Sequence, residues 1–391
     1  MLLSYVAFVR EHARPLGFGL AAMVLSSFGQ TFFIAVFGAE LRAAFALGDG
    51  GFGTIYGIAT LASGLLLGWV GRFIDRTSLT RFALIVGAGF TAACLLAAAS
   101  TGVVMLGIAL FLLRLTGQGL MVHLALTTMA RRFPHDRGKA MGVAALGLPA
   151  GEAVLPIIGV ATIGLVGWRA TWLFCAAILA VAVPLMVRLI DRPAPPGRVP
   201  AVLPASGKRR FWRDHRFLLA MPAIMAPSFI TTGLFFHQAR LAEEKGWSLA
   251  WVAACFVGFA LARAWSLLQA GPVIDRIGAV RLLPLFLLPM AAGLLAIALV
   301  AHPLAAIPYL TLLGLSSGVA TTITTAVWTE YFGFARLGEI RSVVVAANVL
   351  ASAAGPPVMG WLADAGLGLA PQSLLWAGYA AAASLVAARA R

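Results

Sequence analysis

Charge is scarce in this chain: only 11% of its 391 residues are Asp, Glu, Lys or Arg, against 61% hydrophobic residues. A soluble domain carries roughly twice that charged fraction and fewer apolar residues, so with a mean hydropathy of +0.94 a soluble globular fold is excluded. Cysteine is sparse as well. Cys94, Cys175 and Cys255 stand far apart, each inside an apolar run and without metal-ligand spacing, and read as packing residues. The chain has no phosphate-cradling glycine loop, no His/Cys cluster with metal spacing and no Ser–His–Asp arrangement. Soluble-enzyme chemistry therefore has no foothold, and no metal or cofactor is expected.

What the chain has is long apolar runs. Twelve are long enough to cross a bilayer, which takes about 20 apolar residues each. They fall at 17–40, 51–71, 82–101, 103–130, 140–164 and 170–190, then at 217–240, 249–272, 282–301, 304–330, 342–363 and 371–388. Ahead of them, 1–16 reads as a short interfacial or cytoplasmic segment carrying Arg10, Glu11, His12 and Arg14. The first long run ends in Glu40-Leu41-Arg42 rather than a small-residue cleavage site, so no cleavable signal is expected. Between the halves, 191–216 breaks the pattern with Pro193, Pro195, Pro196, Pro200 and Pro204, then Lys208-Arg209-Arg210. That composition is a cytoplasmic linker. The expectation is an all-α integral membrane protein of twelve transmembrane helices in two pseudo-symmetric six-helix lobes, 17–190 and 217–391.

A net charge of +15 would point to nucleic acid in a soluble chain; here the placement of the cations decides. Of the 29 Lys and Arg, only Arg42, Arg169, Arg240 and Lys245 fall on one side of the twelve-segment threading, and Arg114 and Arg263 lie inside segments. All the others share the opposite side. The positive-inside rule makes that side, with both termini, cytoplasmic, and places the protein in the cytoplasmic (inner) membrane with lipid rather than nucleic acid as its partner.

The chain is also duplicated. Gly71-Arg72-Phe73-Ile74-Asp75-Arg76, closing on Arg81, recurs as Gly271-Pro272-Val273-Ile274-Asp275-Arg276, closing on Arg281, with Gly, Asp-Arg and the last Arg at the same offsets. Gly138 and Pro156 map onto Gly338 and Pro356 at the same spacing. Glycine lets two helix ends approach closely, while Asp and Arg cap and pair across the cytoplasmic mouth, forming a charge cluster that can latch one conformation and release in another. A plain basic turn would suit one copy better than two. The repeated loop, between segments two and three and again between eight and nine, resembles the major facilitator superfamily of secondary transporters over nearly the whole chain. The resemblance implies alternating access between two lobes, with Gly71, Asp75, Arg76, Arg81, Gly271, Asp275, Arg276 and Arg281 as gating residues. The duplication also argues against a membrane-embedded enzyme.

Within that superfamily the second half resembles the monocarboxylate and oxalate/formate antiporter branch. Trp328-Thr329-Glu330-Tyr331-Phe332-Gly333-Phe334-Ala335-Arg336-Leu337-Gly338-Glu339-Ile340-Arg341-Ser342 resembles the loop after its helix ten, and Arg263 matches the arginine with which that branch engages the substrate carboxylate. The chain departs from the branch twice. Phe259 stands where proton-coupled members carry an Asp, and segment eleven offers Asn348 and no Lys, which argues against a dianion clamp.

Ionisable groups at mid-membrane cost roughly 2.5–3.5 kcal/mol on insertion scales and are functional candidates by default. Arg263 is a natural dock for a carboxylate; a structural ion pair or a snorkelling cation is the competing reading. Glu152 lies between Pro149 and Pro156 in segment five, at a depth similar to that of Arg114 on an antiparallel neighbour. A buried Glu whose partner comes and goes can carry a proton, whereas a permanent Arg114–Glu152 bridge would only pin two helices. Arg114-Leu115-Thr116-Gly117-Gln118-Gly119 resembles, with an altered Gly and Gln order, the helix-four motif of proton-linked facilitators. His123 and His237 fit either hydrogen-bonded packing or a proton relay. His237 is the better relay candidate because Gln238 and aromatics accompany it. Gln30 can line the cavity. Thr321, Thr322, Thr324 and Thr325 line the pathway or merely bond backbone carbonyls.

The expected substrate-binding set is therefore Arg263, Arg114, Gln30, His237, Gln238 and Asn348, with Glu152 for proton coupling. The expected activity is secondary transport of a small organic anion, a monocarboxylate, by a monomer with protons as the coupling ion. A proton-driven drug or metabolite efflux antiporter is the rival within transport, and a non-transporting membrane sensor the rival outside it.

Overall fold

The computed structural model describes residues 8–190, 211–333 and 336–390. The prolines of the linker and Lys208-Arg209-Arg210 lie outside the described residues. Among the described residues every regular element is helical. Among the described residues eight helices are by themselves long and apolar enough to cross a membrane. These include α2 (Asp49–Val70), α3 (Leu79–Ala99), α4 (Val103–Arg132), α7 (His215–Phe236), α8 (Leu249–Ile277), α10 (Ala306–Phe332) and α11 (Leu337–Asp364).

The other segments are broken or short, each for a local reason. The first, α1, bends by 43° between Ala13–Gly29 and Thr31–Phe45, with Gln30 extended at the break. The run Arg137–Val187 is two segments in one: Gly167 takes φ +79°, which a side chain would oppose, and divides it into α5 (137–166) and α6 (168–187). Only Leu288–Leu299 is helical in α9, because Pro284 and Pro289 lack the N–H groups that would extend it toward Leu282. With α12 (Leu369–Ala388) helical structure is found in each of the twelve expected segments, although α9 is shorter than a bilayer span. One departure lies inside α4, where the expected regular helix gives way to a π-helical stretch over Arg114–Met121.

Local chemistry starts several of these helices. Ser78, Ser248 and Asp214 accept from the backbone N–H of Arg81, Trp251 and Arg216 and so satisfy donors that a helix start leaves open. Large aliphatic side chains point outward along the spans: Leu65 is 74% exposed, Leu165 83% and Leu299 72%. Such a surface suits hydrocarbon, not water.

The chain forms two compact units, one drawn from Met1–Glu40 and Ile58–Val199, the other from Leu41–Gly57 and Pro200–Arg391. The start of α2 thus belongs to the second unit and its remainder to the first. In the first unit Trp172 of α6 stacks on Phe37 at 4.4 Å and meets Phe33 edge-on at 5.8 Å, and Phe8 packs edge-on against Phe133. In the second, α8 and α10 meet through Gly314 and Gly318, which lie under the carbonyls of Phe259 and Arg263. Close approach over small residues drives helix association in lipid, where burial of apolar surface supplies little.

Candidate functional site

The buried polar groups of the first unit gather where α1 breaks. Gly29 has no room for a Cβ, because the Leu113 carbonyl occupies that position and the Gly117 Cα stands 2.8 Å from it. Gly151 of α5 meets the Ser27 hydroxyl in the same way. The broken turn of α1 therefore sits between the π stretch of α4 and the middle of α5. Arg114 and Glu152 are both buried, at 3% and 2% exposure, and the Arg114 guanidinium donates to the Thr31 hydroxyl at 3.2 Å. π-Helical turns shift the backbone register by one residue and recur at functional sites. Here the register changes at the arginine itself. Gln30 is half-buried at the break.

The two copies of the Gly/Asp-Arg signature fold differently. In the first, Gly71–Asp75 forms a 3-10 turn, Asp75 pairs with Arg131 at the end of α4, and Arg76 and Arg81 are exposed. In the second, α8 runs on through Gly271, Asp275 and Arg276 to Ile277. There Glu330 of α10 accepts from the N–H groups of Ala279 and Val280, at 2.7 and 3.3 Å, next to Arg281. At the start of α5, Lys139 bonds Asp136 at 2.7 Å and holds its carboxyl below the usual range.

In the second unit Arg263 is half-buried on α8, its guanidinium 5.9 Å from the Phe259 ring centre. The α7–α11 contact is a polar seam. Ser228 donates to Asn348 Oδ1 at 2.6 Å, Asn348 Nδ2 donates to the Val344 carbonyl at 2.9 Å, and Thr232 and Ser352 lie 3.1 Å apart one turn on. Further along, His237 is buried, with Nε2 2.8 Å from the Pro356 carbonyl oxygen. Gln238, also buried, opens the short helix Gln238–Lys245. Thr321 and Thr324 bond the carbonyls of Ser317 and Ala320 in their own helix.

A cluster that the sequence reading missed surrounds Asp49. Arg42 lies 3.0 Å from its Oδ1, Arg240 3.5 Å from its Oδ2 and His237 Nδ1 3.6 Å from Oδ1. Glu243 reaches Arg42 at 3.4 Å, and Glu244 reaches Arg240 at 3.4 Å. Asp364 accepts from the N–H groups of Asp49 and Gly50 at 3.0 and 2.9 Å. The available signal was the side of the threading poor in cations: Arg42 and Arg240 there have acidic residues beside them, which a count of Lys and Arg alone overlooks.

A cavity of about 350 Å³ opens between α7, α11 and α12, lined by Met225, Phe229, Leu350, Ala354, Trp376 and Tyr379 among others. Its wall is apolar and includes none of the expected site residues.

Among its described residues the chain is all-helical, with eight helices long and apolar enough to cross a membrane and large apolar side chains on its surface, and it is a multi-pass membrane protein. The profile of the Major Facilitator Superfamily matches residues 19–258 and 234–390, and the chain belongs to that family. Solved structures share the fold. A bacterial homologue of the human lysosomal transporter Spinster, inward-facing and unoccupied, aligns with TM-score 0.77 at 14% identity, covering 96% of both chains. The same homologue, inward-facing and occupied, gives 0.75 at 16% identity over 99% of this chain and 97% of that one. The nucleoside transporter NupG gives 0.73 at 13% identity over 96% and 98%. No curated protein sequence matches the chain.

Proposed function

We propose that this transporter moves a small organic anion, a monocarboxylate, across the cytoplasmic membrane by alternating access, as a monomer coupled to protons and with both termini cytoplasmic. The observation that carries the reading is Arg263, a half-buried guanidinium midway along α8. A guanidinium at that depth is a natural dock for an anion, because its planar fork matches a carboxylate. The Phe259 face beside it offers an apolar surface for a short carbon chain. Arg114, buried next to the broken turn of α1, supplies a second cation, and Glu152 on the adjoining helix is the proton carrier of this reading. Gln30, His237, Gln238 and Asn348 complete the polar set, and the two Gly/Asp-Arg loops serve as gates.

The test is uptake of a panel of labelled monocarboxylates into proteoliposomes, with and without an inward proton gradient, for the wild type, Arg263→Ala and Glu152→Gln. Gradient-driven uptake that disappears in Arg263→Ala, with counterflow surviving in Glu152→Gln, supports both assignments. If no carboxylate moves while a lipophilic cation does, the anion reading is wrong and the efflux antiporter takes its place. Binding of a carboxylate without counterflow would instead indicate a sensor.

A further inference from the structure

His237 caps the C-terminus of α7 and is 2% exposed. A carbonyl oxygen can only accept, so the Nε2 that stands 2.8 Å from the Pro356 oxygen carries a hydrogen. The other nitrogen, Nδ1, faces a second acceptor, Asp49 Oδ1, at 3.6 Å. A neutral ring would turn a bare lone pair toward a carboxylate in a site almost closed to water, a mismatch that one more proton removes.

Charged groups of both signs surround the pair, carboxylates in the majority. From the end of α1 comes Arg42, from the short helix after α7 come Arg240, Glu243 and Glu244, and from the end of α11 comes Asp364. Two guanidinium groups thus face four carboxylates, Asp49 included. An added positive charge on the ring reduces that imbalance.

We propose that Asp49 and His237 bind one coupling proton between Oδ1 and Nδ1, a proton site additional to Glu152. The proposal rests on the proton-coupled reading above. The bound proton joins the start of α2 to α7, beside the Asp364 cap and the Trp361 Nε1 donation to Thr54 at 3.0 Å. Its departure leaves a lone pair against a carboxylate and weakens that junction, so occupancy of the site and attachment of Leu41–Gly57 to the second unit are linked.

The experiment uses the full chain in lipid nanodiscs with ¹⁵N-labelled histidine, the His237 ring being assigned by its absence from His237→Gln. At pH 7.5, where an unperturbed imidazole is roughly nine-tenths neutral, the His237 ring should show both nitrogens protonated, and Asp49→Asn should convert it to the neutral form. A wild-type ring that is singly protonated at that pH overturns the proposal without recourse to any Asp49 variant. The second arm measures gradient-driven uptake of labelled lactate, which Asp49→Asn should uncouple while counterflow persists; uptake that remains fully gradient-driven in that variant also overturns it. Absence of lactate uptake in the wild type would sink the anion reading alone, since the ring spectrum decides proton binding without any substrate.

Discussion

Replacing Asp364 tests how the start of α2 is held. Its carboxylate accepts from two successive N–H groups, those of Asp49 and Gly50, at 3.0 and 2.9 Å. Both are among the four donors that a helix start leaves without an intrahelical partner. A carboxylate cap contributes about 0.5–2 kcal/mol, and each hydrogen bond to a charged group about 1.5–3 kcal/mol where water is excluded. Asp364 itself is exposed, so water can partly replace it once it is gone. The expected cost of Asp364→Ala is therefore about 2 kcal/mol, and that of Asp364→Asn, which keeps one acceptor oxygen, about half as much. Amide hydrogen exchange reads local opening directly. Protection across Asp49–Gly57 should fall roughly thirtyfold in Asp364→Ala and roughly fivefold in Asp364→Asn, at about 1.4 kcal/mol per factor of ten. Amides of α3 and α8 serve as internal controls and should not change. Exchange that rises less than about twofold at the start of α2 in Asp364→Ala would refute the assignment of Asp364 as its anchor.

Further outcomes follow from the same geometry. Gly29→Ala drives a methyl group into the Leu113 carbonyl; overpacking of this kind costs about 1–3 kcal/mol and should lower the melting temperature in detergent, whereas Gly68→Ala, with nothing near its Cβ position, should not. Ser228→Ala and Asn348→Ala remove one hydrogen bond from its two ends, so a double-mutant cycle should return a coupling of about 0.5–1 kcal/mol, and strict additivity would mean that the bond contributes nothing. Asp75 is 55% exposed where it pairs with Arg131, so Asp75→Asn should change stability by less than about 1 kcal/mol; an unchanged transport rate in that variant would discard the gating role.

The membrane segments were legible because lipid imposes a blunt rule: a span must be long, apolar and internally hydrogen-bonded. Gly167 could be placed at a break for the same reason, since it separates two runs that each have the required length. The π-helical stretch from Arg114 left no such trace, because Leu115-Thr116-Gly117-Gln118 reads equally well as ordinary helix. The Asp49 cluster was harder still. Its members are scattered from Arg42 to Asp364, and only the packing of α2 against α7 and α11 brings them together. His237 was noticed for its aromatic neighbours, but its partners, a carbonyl at Pro356 and a carboxylate at Asp49, are features of tertiary geometry.

The division of α2 between the two units has a consequence for any attempt to cut the chain. A fragment ending before the linker would carry Leu41–Gly57 away from the partners it packs with, leaving the glycines that meet Pro356 and Trp361 facing lipid or detergent. The complementary fragment would in turn present Asp364 and His237 with nothing to hold. Covalent order and packing order disagree over this one stretch, so two half-chains would have to be made together, each completing a surface that the other leaves open.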